Sequence, residues 1–108
     1  MSQQALIDMD AMRRAADAAC RLMKALSNQD RLLLLCQMTQ GEKCVSELES
    51  LVGIGQPTLS QQLGVLRTEK LVATRRDGKN IYYRISSPPT RAVMEVLYAQ
   101  FCNDQKEI

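Results

Sequence analysis

Between Lys70 and Leu71 the hydrophobic pattern changes period, and this change constrains the fold more than any other feature of the chain. On the N-terminal side apolar residues recur every three or four positions, the spacing of helices with one buried stripe. On the C-terminal side LVATRR and NIYYRIS bring β-branched and aromatic residues to either flank of Asp77-Gly78, a dipeptide that closes tight hairpins. Ser86 to Pro89 breaks the second strand. Thr90 then reads as the cap of a last helix with apolar positions at Val93, Met94, Leu97 and Phe101, and with Tyr98 and Cys102 beside them.

Four helices are expected before the ribbon. The first carries Met9, Met12, Ala16, Ala19, Met23 and Leu26 in alternating steps of three and four, with Arg13, Arg14, Asp17, Arg21 and Lys24 off the seam. So narrow a seam suits a helix packed on its own domain or one paired with another long helix. Ser27, three residues before Asp30, reads as the start of a second helix that runs through LLLLC to Thr39 and stops at Gly41. Leu32 to Cys36 is apolar all round, so this helix is expected to be central and buried. A third begins at Ser46, buries Leu48, Leu51 and Val52, and stops at Gly53. The fourth starts near Gln56, takes Pro57 into its first turn and runs to about Glu69, with Leu59, Leu63 and Leu66 as its buried stripe.

The outer face of that fourth helix shows Thr58, Ser60, Gln61 and Gly64, with no charge before Arg67. Two short helices joined by a glycine turn, the second with a polar face free of acids, match a helix-turn-helix over about 46–69, and the ribbon over about 71–86 is then a wing. The expected fold is mainly α with a two-stranded β wing, in the order α-α-α-α-β-β-α. A length of 108 residues supports one modest core, so residues 1–108 read as a single domain. With aromatics at only 4% and no Trp, that core must be built from Leu, Ala, Met, Val and Ile.

A net charge of +2 conceals an asymmetry: seven of the fourteen Lys and Arg fall between residues 67 and 91, against Glu69 and Asp77. Such an excess points to a polyanion. Arg75, Arg76 and Lys79 flank the hairpin tip, Arg67 and Lys70 close the fourth helix, and Arg84 lies on the returning strand. Compact positive charge on a wing suits the sugar-phosphate backbone or the minor groove of double-stranded DNA. Gln pairs with adenine in the major groove, and Ser or Thr serves base edges and phosphates, so Gln56, Thr58, Ser60 and Gln61 fit base reading. Gln62 falls beside the buried stripe.

Other classes lose ground on composition. The chain has no His, and its four Cys form no CxxC pair; there is no glycine-rich phosphate loop, so an enzyme is not expected, nor any cofactor. No apolar run approaches the roughly 20 residues of a membrane helix, and the N-terminus lacks the order of a secretory signal. A cytoplasmic protein without membrane contact is expected.

LSNQDRLLLL, GQPTLSQQLGVLR and the hairpin RRDGKNIYYRI together resemble the ArsR/SmtB family of small bacterial repressors, from about residue 15 to 103. The resemblance implies a homodimer paired through its first and last helices, bound to an inverted-repeat operator. By matching position, Gln56, Pro57, Thr58, Ser60 and Gln61 approach the major groove, and Arg76 and Lys79 sit in the wing. Metal-sensing members carry two thiolates in a C-V-C motif where this chain has Cys44-Val45-Ser46, and the zinc site on the last helix needs His; no metal site is expected.

On the residues alone, Cys36 reads as a small buried hydrophobe and Cys102 as a partly exposed thiol near a helix end. The persulfide-sensing branch of the family, similar to BigR and SqrR, carries one Cys on the second helix and one near the end of the last. LLLLCQM and LYAQFCNDQ match both positions, and the resemblance makes Cys36 and Cys102 a dithiol sensor of persulfide or polysulfide. A bridge of two or more sulfurs would then tie the central helix to the last one. Two alternatives keep the fold: a repressor responding to arsenite, copper or another thiophilic ion, and a constitutive or haem-responsive regulator. Cys44 reads as an exposed loop thiol and Cys20 as adjoining the seam, neither with an expected role.

Overall fold

The computed structural model describes residues 8–102. Helix α1 (Met9–Leu26) is followed by α2 (Gln29–Met38), the short strand β1 (Lys43–Cys44), α3 (Val45–Val52) and α4 (Thr58–Thr68). The hairpin of β2 (Val72–Asp77) and β3 (Asn80–Ile85) leads into α5 (Pro88–Leu97), whose end widens into a π-helical turn, Tyr98–Cys102. This is a winged helix, with one strand more than the sequence pattern gives. β1 pairs antiparallel with β3, Lys43 opposite Tyr83 and Cys44 opposite Tyr82, so the wing belongs to a three-stranded sheet in the order β1-β3-β2. Gly78 turns the hairpin at φ 64°, with Asp77 opposite Asn80.

The helix starts are shifted from the expected ones, each for a local reason. Asn28, not Ser27, caps α2: its side-chain oxygen accepts the Arg31 N–H at 3.0 Å. Cys44, not Ser46, precedes α3, and the Glu47 carboxylate accepts the Cys44 N–H at 2.9 Å. That bond holds the Glu47 carboxyl below its ordinary range. Ser87, not Thr90, caps α5, with Pro88 and Pro89 in the first turn where a missing N–H is harmless. Thr90 sits three residues further in and is fully buried.

The core gathers where α2, α3 and α4 meet the sheet. Leu34, Leu35 and Met38 of α2, Leu48 of α3, and Leu59, Leu63 and Leu66 of α4 pack with Val72, Tyr83, Ile85 and Met94. The stripe expected on α4 is therefore the one buried. α2 is less enclosed than LLLLC suggests, because Leu33 remains exposed, and Leu51 of α3 faces outward rather than into the core. From Met9 to Lys24 every residue of α1 is exposed except the half-buried Leu22, and α1 joins the core through Ala25 and Leu26 of its last turn, leaving Met9, Met12 and Met23 of the seam uncovered.

α4 ends in a Schellman arrangement: Leu71 N–H reaches Leu66 O at 3.0 Å, and Lys70 N–H reaches Arg67 O at 2.9 Å. The position that usually takes glycine is occupied by Lys70 at φ 63°. This closure aims the chain from α4 directly into the wing.

Candidate DNA interface and dithiol cleft

Burying Leu59, Leu63 and Leu66 turns Gln56, Pro57, Ser60, Gln61 and Gly64 outward on one exposed face, with Thr58 half-buried at its start and Arg67 exposed at its end. Two of these side chains act as a unit. Gln56 Oε1 accepts from both the Ser60 hydroxyl, at 2.6 Å, and the Ser60 N–H, at 3.1 Å. The Gln56 oxygen thus supplies a capping acceptor to a helix whose own cap residue, Pro57, has no side-chain bond. Both residues are exposed, which leaves the Gln56 amide N–H groups and the Ser60 lone pairs open to an incoming ligand.

The wing cations divide into two kinds. Arg76 and Lys79 are exposed and make no ion pair or hydrogen bond among the described residues. Arg75 is engaged: its Nε donates to Glu42 Oε1 at 2.7 Å, Asp77 lies 3.8 Å from Nη1, and the guanidinium stands 4.6 Å from the Tyr82 ring centre. The Arg75 hydrogen bond holds the Glu42 carboxyl below the usual carboxylate range. Arg75 therefore ties β2 to the loop before β1, and much of its charge is already compensated. Gln62, ambiguous in the sequence, accepts from Arg31 Nη1 at 2.8 Å and so belongs to the interior contact rather than the outer face.

Cys36 and Cys102 come together. Two helical stripes, Gln29, Leu32, Leu33 and Cys36 on α2 against Met94, Leu97 and the end of the π turn, enclose a cleft of about 320 Å³ with both thiols in its wall. No charged side chain lines it. Burial pushes the Cys36 thiol up, and the adjacent Cys102 sulfur pushes it further by charge and hydrogen bonding. Cys36 is thus half-buried on a cleft rather than sealed in the core, and Cys102 is half-exposed as its position implied.

The other two thiols stand apart from that cleft. Cys44 is buried, contrary to the exposed loop thiol expected, because β1 pairs with β3 and sets Cys44 opposite Tyr82; its sulfur lies 3.3 Å from the Ser46 hydroxyl. Cys20 is exposed on α1. Among the described residues no group of three or more Cys, Asp or Glu gathers as metal donors, and no helix is long and apolar enough to cross a membrane.

A glycine-jointed helix pair packed on a three-stranded wing, with an acid-free outer face on its second helix, defines a winged helix-turn-helix protein. Residues 28–74 match the profile of the bacterial regulatory proteins of the arsR family. The biofilm growth-associated repressor of Xylella fastidiosa is 46% identical over 96 residues, 89% of this chain and 84% of that protein. The crystal structure of the transcriptional repressor BigR from Xylella fastidiosa superposes with a TM-score of 0.80 at 45% identity, covering 89% of this chain and 98% of that one. The homodimeric winged helix-turn-helix DNA-binding domain Mb0332 of Mycobacterium bovis, described as a possible ArsR-family regulator, gives 0.74 at 28% identity over 92% of each chain. This chain belongs to the ArsR family of bacterial transcriptional repressors.

Proposed function

We propose that this one-domain regulator binds an inverted-repeat DNA site as a cytoplasmic homodimer and releases it when Cys36 and Cys102 react with a low-molecular-weight persulfide or polysulfide. The observation that carries this reading is the convergence of the two thiols on one uncharged cleft between α2 and the end of the last helix. In the proposed complex, Gln56, Pro57, Thr58, Ser60 and Gln61 enter the major groove, Arg67 faces the adjoining phosphates, and Arg76 and Lys79 follow the backbone from the wing. Arg75 supports the wing through Glu42. Pairing through the first and last helices is favoured by the apolar side chains they leave exposed, Met9, Met12 and Met23 on α1 and Val96 and Phe101 beyond it. The Mycobacterium bovis relative described as homodimeric supports the same assembly.

The sulfur chemistry balances without an outside oxidant beyond the persulfide itself. Burial pushes the Cys36 thiol up and makes it the poorer first nucleophile, so the Cys102 sulfur attacks the terminal sulfur of RSSH, the S–S bond breaks, and RS⁻ leaves. Cys36 then attacks the Cys102 sulfur and expels HS⁻, giving a disulfide. If Cys36 has also been persulfidated, its terminal sulfur makes the same attack and the product is a trisulfide. Each added sulfur lengthens the link by up to about 2 Å beyond a plain disulfide. Either bridge fastens α2 to the last helix. A coupling of about 1 to 3 kcal/mol between this event and DNA binding corresponds to a 5- to 150-fold loss of affinity.

The test is anisotropy of a labelled inverted-repeat duplex with and without glutathione persulfide, alongside intact and peptide mass spectrometry. Treated protein should lose DNA affinity and show a 36–102 crosslink that has lost two hydrogens, or has lost them and gained one sulfur. Cys36→Ser and Cys102→Ser proteins should bind DNA normally and ignore the persulfide. Unmodified thiols with unchanged affinity, or full release from the Cys36→Ser protein, would refute the dithiol mechanism.

A further inference from the structure

We propose that Arg31 is a positioning residue for DNA reading, locking the recognition helix α4 to the end of α1 without touching DNA. Its one planar guanidinium reaches three acceptors on two helices. Nε donates to Ala25 O at 2.6 Å, Nη2 to Lys24 O at 3.3 Å, and Nη1 to Gln62 Oε1 at 2.8 Å. The first two acceptors are carbonyls of the last turn of α1, the end of a helix that favours a cation; Lys24 O also accepts the Ser27 N–H at 3.2 Å, so Ala25 O is the one that gains most from the guanidinium. The third sits on α4, between the buried stripe of Leu59 and Leu63 and the outward pair Ser60 and Gln61. Rotation of α4 about its own axis would break that bond.

A second tether runs parallel to it: Arg21 Nε donates to Glu69 Oε1 at 2.7 Å, joining α1 to the residue after α4. The Arg21 side chain is 73% exposed, so solvent screens that pair and it holds little. The Arg31 bonds to Ala25 and Gln62 are partly buried and meet a fork of fixed geometry, which an ammonium cannot reproduce. Resting on the dimer reading above, in which α1 pairs two protomers, the lock fixes how far apart and at what angle the two recognition helices stand. A dimer accepts half-sites at a set spacing only if that angle is stiff.

The lock is tested with Gln62→Met, which removes the acceptor and leaves the core intact, with Arg31→Lys, and with the double variant. The probes are a duplex bearing the inverted repeat that the wild-type protein enriches from a random pool, the same duplex with one base pair inserted between half-sites, and a random-sequence duplex. Gln62→Met should lose roughly five- to tenfold in affinity for the repeat while random-duplex affinity stays within about twofold. Its penalty for the inserted base pair should shrink, and its melting temperature should remain near wild type. The double variant should be no worse than Arg31→Lys alone. Losses that multiply in the double variant, with the spacing penalty as in wild type, would mean Gln62 reads DNA directly and would overturn the lock. A monomer in sedimentation would overturn the dimer reading separately, and the non-additivity of the Arg31 and Gln62 changes would still decide the lock.

Discussion

Ser87 is expected to be worth more to this fold than an ordinary helix cap, because two donors of Thr90 depend on its one hydroxyl oxygen. Ser87 Oγ accepts the Thr90 N–H at 3.2 Å and the Thr90 hydroxyl at 2.9 Å. Ser87→Ala removes a cap, at about 1 kcal/mol. It also strands the hydroxyl of the fully buried Thr90, which adds about 1 to 3 kcal/mol. The expected total is about 2 to 4 kcal/mol, or a fall in melting temperature of roughly 10–20 °C for a domain of this size. Thr90→Val, by contrast, removes the donor that needs a partner and leaves the N–H cap in place, so it should cost little. In the Thr90→Val background Ser87→Ala should then cost only the cap. Urea denaturation of the four proteins gives the coupling directly, with the m-value as a check that the unfolded state is unchanged. An equal cost of Ser87→Ala in both backgrounds would show that the Thr90 hydroxyl does not rely on Ser87.

Three other outcomes are expected. Arg76→Ala and Lys79→Ala should weaken repeat and random duplex alike and reduce the salt slope by about 1 for each phosphate no longer neutralised, whereas Ser60→Ala and Gln61→Ala should narrow the difference between the two duplexes; salt titrations of all four separate the roles. Lys70→Gly should be more stable than Lys70→Ala by about 1 kcal/mol, since only glycine takes the left-handed position at φ 63° without strain, and equal urea midpoints would contradict this. Burial raises the Cys36 thiol above its unfolded value, so the stability it contributes is complete below about pH 8.5 and is lost as pH rises through the folded value. Iodoacetamide labelling of Cys36, with the other thiols replaced by Ser, should show a pH profile displaced upward from that of the denatured protein.

What the sequence made legible was whatever repeats locally. The Leu59, Leu63 and Leu66 stripe, the Gly53 stop, and the Asp77-Gly78 turn between β-rich segments each need only a few neighbouring residues, and each is where the pattern placed it. β1 was not legible, because two residues carry no periodicity and their pairing with Tyr82 and Tyr83 spans nearly 40 positions. The same distance hid the burial of Cys44. Arg75 and Arg31 were opaque for a related reason: their partners Glu42 and Gln62 lie 33 and 31 residues away. An Arg in sequence shows its charge, not what neutralises it. The caps erred by one to three residues where Ser27 and Asn28, or Ser87 and Thr90, offer competing hydroxyl and amide oxygens close together. The meeting of Cys36 and Cys102 followed from family resemblance and not from any local signal, since neither thiol marks itself in its own helix.

The third strand also gives the wing a fixed origin. A free hairpin can slide or tilt as a whole, but β3 is held on one side by β1, which continues into α3. The height of the tip above the recognition helix is therefore counted out in residues from Cys44, like graduations on a ruler. Adding two residues to each strand of the hairpin would advance Arg76 and Lys79 by about 7 Å while flipping no side chain to the other face. That is roughly two base-pair steps of duplex, so in the proposed complex the cations would move past one set of phosphates and onto the next.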